Sequence, residues 1–204
     1  MADDLQRRVL RNAARRGVKI RTRAQWGSKH ADTYKTRLIT RRVTLAKADT
    51  FVSHITVTRD DGPLTGDFDT DMREVEQIGW DRFKTGFSYN FGIDHLDGMI
   101  GVGMPLMAAG SHTLNDKGVP NYSANQNYVA RAAAWMAMPG MVPSDVAKEA
   151  FAQLLAAMMN EGALTQGFDF KPHSFFAAKD CPTQPGRDAM PWIYNRAQQV
   201  KDRR

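Results

Sequence analysis

Apolar residues recur along this chain with two spacings, one helical and one strand-like. Leu5, Val9 and Ala13 mark one face of a helix over residues 3–16, with Asp3 or Asp4 to cap it and Gly17 to end it. Residues 50–58 (TFVSHITVT) are rich in β-branched side chains and predict a strand. Residues 60–71 are acidic with Gly and Pro, which predicts a loop. A helix follows over 72–80, with Met72, Val75 and Ile78 in step and Gly79 to stop it. Residues 87–94 and 99–105 read as two strands of a hairpin around Leu96-Asp97-Gly98, and the Asn-rich stretch 110–127 as a long surface loop. Residues 128–138 fit helix or strand. Their place between a loop and Pro139-Gly140 favours a buried strand.

Residues 142–162 predict a helix, capped by Ser144, striped by Val146, Phe151, Leu154, Leu155 and Met158, and ended by Gly162. Residues 171–182 form a loop carrying His, Lys and Cys, and 190–204 a short helix with a basic end. Strands mixed with helices predict an α/β fold, with a central mixed β-sheet flanked by helices. A single main domain over 21–204 follows an N-terminal arm of 1–20.

The 204 residues are 42% apolar and 25% charged, which suits one folded domain and excludes wholesale disorder. No run of eighteen apolar residues occurs, so no membrane span is expected. The first residues lack the apolar core of a secretory signal, so the expected place of synthesis is a cytoplasm.

The net charge of +6 is unevenly distributed. Arg7, Arg8, Arg11, Arg15, Arg16, Lys19, Arg21 and Arg23 face only Asp3 and Asp4 in the first 23 residues, and the rest of the chain is neutral. Such an arm suits nucleic acid, anionic lipid or an anionic wall polymer, or is a solvated helix face. A neutral body argues against nucleic-acid binding as the main role.

A single cysteine, Cys181, excludes an internal disulfide and leaves a buried small hydrophobe, a nucleophile or a metal ligand. His173 lies eight residues before it, near enough for both to reach one ion, and His54 lies in the strand over 50–58. A catalytic zinc takes three such protein ligands and leaves one position open. By residue type alone, a strand histidine is more often an ordinary core or surface residue.

The order of several short motifs resembles one family. RAQWG (23–27) resembles an opening Arg-x-x-Trp-Gly, and HITVT (54–58) a His-x-x-x-Thr strand. Residues 78–105 resemble a Gly-Trp, Tyr-His-Phe, Asp-Gly and hairpin series, with Asn90 where the family often has His. AAGSHTLND (108–116) resembles a Gly-Ala/Ser-His loop, and PHSFFAAKDCP (172–182) a closing His-x7-Cys-Pro with Lys two before the Cys. The family is the zinc-dependent N-acetylmuramoyl-L-alanine amidases, which include phage endolysins and the peptidoglycan recognition proteins. The match runs from about residue 22 to 195.

That resemblance implies a peptidoglycan-recognition/amidase-like single domain with Zn2+ held by His54, His173 and Cys181. It implies Tyr89 and Lys179 as catalytic residues, and His112, Asn115 and Trp26 at the substrate groove. The implied reaction is hydrolysis of the amide between N-acetylmuramic acid and L-alanine in bacterial peptidoglycan. The implied setting is a phage endolysin made in the host cytoplasm and acting on the wall after release, with the basic arm drawn to anionic wall polymers. A peptidoglycan-binding module without catalysis and a zinc endopeptidase of the stem peptide are the alternatives.

Overall fold

The computed structural model describes residues 4–43, 47–56, 64–113 and 125–202. In chain order the elements are α1 (Asp4–Arg15), β1 (Ile20–Arg21), α2 (Arg23–Trp26), α3 (Ala31–Thr40), β2 (Ala48–Ile55) and α4 (Phe68–Phe83). Then come β3 (Phe91–Asp94), β4 (Ile100–Val102), α5 (Gln126–Val129), β5 (Arg131–Met136), α6 (Asp145–Asn160), β6 (Leu164–Pro172) and α7 (Gln184–Val200), with a 3-10 turn at His173–Phe175. The strands form one sheet in the order β1-β4-β3-β5-β2-β6. The β3–β4 hairpin is antiparallel and the other pairings are parallel. This is the mixed, helix-flanked sheet that the sequence predicts.

Successive side chains of a strand point to opposite faces. On β2, Phe51 and Ile55 join a large core that holds Phe151, Leu154 and Leu155 of α6 and Ile193 and Ala197 of α7. Leu5, Val9 and Ala13 of α1 enter the same core, so the arm's helix docks along its apolar stripe. Val52 points the other way, toward Ala132 and Phe176. Over that second face lies α4, whose Met72 and Val75 pack with Trp26, Phe87 and Met136. His54 belongs to the second face.

Helix α4 is longer than the apolar spacing predicts. Asp67 caps it by accepting from the Thr70 amide, so the acidic run read as loop supplies its first turn. Gly79 lies inside this helix and does not end it. A Cβ there would stand 1.9 Å from the Gly86 carbonyl oxygen, so the glycine permits a close backbone approach. Helix α7 starts at Gln184, and its early Pro185 fits a first turn, where the proline's missing N–H is not needed. Ser144 caps α6 as expected, but Val146 is exposed and the buried stripe begins at Ala147.

Candidate metal centre

Three segments converge beside the end of β2. His54 is 1% exposed and points from the second face of the sheet. Its level on the sheet is set by pairing with Ala134 of β5, which in turn pairs with Gly92 of β3. The glycine admits Met72 of α4 and the Phe87 ring close to the sheet, since a Cβ there would stand 2.5 Å from the Met72 sulfur. The Tyr89 ring, just before β3, lies 4.8 Å from that of His54, centroid to centroid. His173 follows the last residue of β6 and its ring lies 4.5 Å from His54. The loop after it folds back, because the Ser174 amide donates to the Cys181 carbonyl (2.6 Å). Cys181 is thereby returned to β2, where the Ile55 amide donates to its sulfur (3.4 Å).

The result is a group of His54, His173 and Cys181 whose donor atoms all lie within 4.8 Å of one another. The thiol sulfur is 3.8 Å from His54 Nδ1. Burial holds His54 well below the usual histidine range, and the charges of His173, His112 and Lys179 add to the effect. Neutral imidazole is the ligand form, so burial presets it. Burial pushes the Cys181 thiol up to about 11, against the lowering effects of the Ile55 amide and Lys179. A bound cation reverses that preference, because it stabilises the thiolate directly. His54 Nε2 is buried and has no hydrogen-bond partner.

The other residues of interest surround this group. Burial pushes the half-buried Tyr89 phenol far above its ordinary range, with Cys181 adding to the effect. Lys179 is exposed two residues before Cys181, and its charge reaches both His54 and Cys181. His112 is 6% exposed, with its ring 5.3 Å from that of His54. Burial, then His173 and Arg131, lower its pKa to about 3. Trp26 is fully buried, its indole donating to the Val102 carbonyl (3.0 Å). It packs on Phe87, which packs on Tyr89, so it supports the site from behind. Asn115 lies outside the described residues.

Sequence reading missed the residues that hold these segments in place. The Asn127 side-chain oxygen accepts from the amides of His112 (2.7 Å) and Thr113 (3.0 Å), and its NH2 donates to the Thr113 carbonyl (2.6 Å). Arg37 of α3 donates to the Ala109 carbonyl (3.1 Å) in the same loop. Asn90, 4% exposed, accepts from the Ala132 amide (2.9 Å) and donates to the Met104 carbonyl (3.2 Å). It ties the base of the Tyr89 segment to β5 and to the turn after β4. Neither asparagine carries a local sequence signal, because the backbone groups they bind lie 14 to 42 positions away.

No family model and no curated protein matches this sequence. Solved structures are. Drosophila PGRP-LB, a peptidoglycan recognition protein, superposes with a TM-score of 0.66 at 18% identity, over 87% of this chain and 95% of that one. The human PGRP-Iβ C-terminal domain, solved with a glycosamyl muramyl pentapeptide, gives a TM-score of 0.64 at 23% identity over 85% and 95%. The endolysin N-acetylmuramoyl-L-alanine amidase LysCS of Clostridium intestinale gives 0.51 at 23% over 72% and 84%. The chain thus has the fold shared by peptidoglycan recognition proteins and these amidases.

Proposed function

We propose that a protein with this fold and this ligand group is a zinc-dependent N-acetylmuramoyl-L-alanine amidase acting on bacterial peptidoglycan as a phage endolysin. The observation that carries the reading is the meeting of His54, His173 and Cys181 within 4.8 Å. Two imidazoles and a thiolate are a zinc donor set, and the count of three leaves a fourth position for water or substrate. A zinc ion held by both would need the sulfur and the nitrogen within about 4 Å of each other. The 3.8 Å between Cys181 Sγ and His54 Nδ1 fits that spacing.

When bound, zinc supplies a Lewis acid for the scissile carbonyl and lowers the pKa of water toward about 7. The protein's own residues do the rest. Negative charge develops on the carbonyl oxygen during attack. In this reading the Tyr89 hydroxyl, a phenol protonated at neutral pH, donates to it, and the Lys179 ammonium adds positive charge from the exposed side. His112, whose backbone amide is held by Asn127, is assigned to substrate contact.

A binding module without catalysis has no use for a thiol grouped with two imidazoles, so Cys181 favours the enzyme. The test is release of dye-labelled fragments from purified peptidoglycan, with and without a zinc chelator. Cleavage that stops with chelator and returns with added zinc supports the reading. Cleavage indifferent to chelator rejects it.

A further inference from the structure

Eight large apolar side chains are exposed among the described residues, and five of them gather at one place. Leu96, Met141, Val142, Val146 and Trp192 are 63, 39, 69, 61 and 44% exposed. The turn at 95–98, which carries Leu96, packs on the start of α6. Ser144 donates through its amide to the His95 carbonyl (2.8 Å) and through its hydroxyl to the Leu96 carbonyl. Val146 and Trp192 line a groove of about 580 Å³ together with Arg16 to Lys19, the residues that follow α1.

The groove joins this patch to the end of the basic arm, at Arg16 to Lys19. Arg7, Arg11 and Arg15 are four residues apart on the exposed face of α1. Arg11 and Arg15 have no acidic partner among the described residues, and Arg7 only the distant Asp4 at 3.9 Å. Like charges at this spacing repel, and the docking of α1 does not need them, since Leu5, Val9 and Ala13 bury its other face. The acidic groups in the groove are neutralised locally. Asp97 pairs with Lys19, Asp145 with Lys148, and Glu149 with Arg196.

We infer that this patch and the α1 arginines together dock on an anionic lipid surface. A soluble polyanion would use the arginines but not Trp192 and Val146. A lipid surface uses both, taking the apolar side chains into the headgroup boundary and the guanidiniums onto its phosphates. The attachment is peripheral, since no described helix is long and apolar enough to cross a membrane. Helices α1, α6 and α7 cover the face of the sheet opposite His54, so docking by them leaves the metal centre turned away from the lipid.

The inference does not depend on catalysis, and its test reads binding alone. The full chain is sedimented with phosphatidylcholine vesicles, with and without phosphatidylglycerol. It should pellet with the anionic vesicles only and be released at high salt. Arg7→Gln/Arg11→Gln/Arg15→Gln should weaken partitioning by roughly a hundredfold, and Val146→Ser/Trp192→Ala by about tenfold or more. Should either variant misfold, high salt on the unaltered chain supplies the electrostatic readout. Equal binding to neutral vesicles, or no effect of the arginine variant, overturns the inference. So does full binding by the Val146/Trp192 variant, which would leave a polyanion site. Lipid-free self-association that this variant abolishes would assign the patch to a second copy and overturn it as well.

Discussion

Cys181 Sγ stands 3.8 Å from His54 Nδ1, although the two residues are 127 positions apart in the chain. Strand β2 carries the histidine, and the loop after β6 carries the cysteine back to it, where the Ile55 amide holds the sulfur. His173 closes the group from the start of that loop.

Cys181→Ser and His173→Ala should each lose the metal. After zinc loading and desalting, the unaltered chain should retain about one equivalent and each variant less than about a tenth. Elemental analysis measures this, and peptidoglycan cleavage should fall to background in parallel. Full zinc retention by either variant would remove it from the ligand set.

Tyr89→Phe should keep zinc and lose rate. Loss of one oriented donor to a developing oxyanion lowers kcat by about 100- to 1000-fold. Steady-state cleavage of a muramyl peptide, with zinc content measured on the same sample, separates this from metal loss. An unchanged kcat would take the hydroxyl out of the chemistry.

Much of this arrangement was legible in the sequence, and the failures have physical causes. Helix α6 announced itself through the Ser144 cap and its apolar period. Strand β5 did not, because a run of alanines has no preference for either period, and its flanks decided. Helix α3 was missed because only Tyr34 and Arg37 are buried along it, too few to mark a face. Helix α4 was cut short at both ends, since acidic residues and an internal glycine read as loop signals. The metal group came from ordered motifs, whereas composition alone left His54 ambiguous. The Asn127 and Asn90 clamps were invisible because each bonds to backbone, and backbone position is not written in any local residue pattern.

The zinc-free protein should weaken in acid, in part through His112. Its folded pKa, about 3, lies below the ordinary 6.5, so the unfolded chain binds the proton more readily between these values. The stability contributed by neutral His112 is full above pH 6.5 and is lost as pH falls toward 3. Urea unfolding in chelator should show His112→Gln losing roughly 1–2 kcal/mol less than the unaltered chain between pH 7 and pH 5. Parallel curves for the two proteins would refute the assignment.

Zinc binding should release a proton near neutral pH. The Cys181 thiol, pushed up to about 11 without metal, must give up its proton to become a ligand. Calorimetric titration in buffers of different ionisation heat should give about one proton released at pH 7.5, and Cys181→Ser none. Zinc uptake with no proton release would show that the sulfur does not coordinate.

Asn127→Ala should loosen the His112 loop while sparing the metal. It strips the amides of His112 and Thr113 and the Thr113 carbonyl of their partner, at a cost of about 1–3 kcal/mol in stability. KM for a muramyl peptide should rise several-fold with zinc content unchanged. A variant with unaltered KM would separate this loop from substrate binding.

The central claim concerns which bond is cut, and mass spectrometry of peptidoglycan digested by the zinc-loaded protein addresses it directly. Amide hydrolysis predicts glycan strands with a free lactyl carboxylate and intact stem peptides that begin with an unblocked L-alanine. Stem peptides severed internally and still attached to muramic acid would contradict the account, as would peptidoglycan left whole.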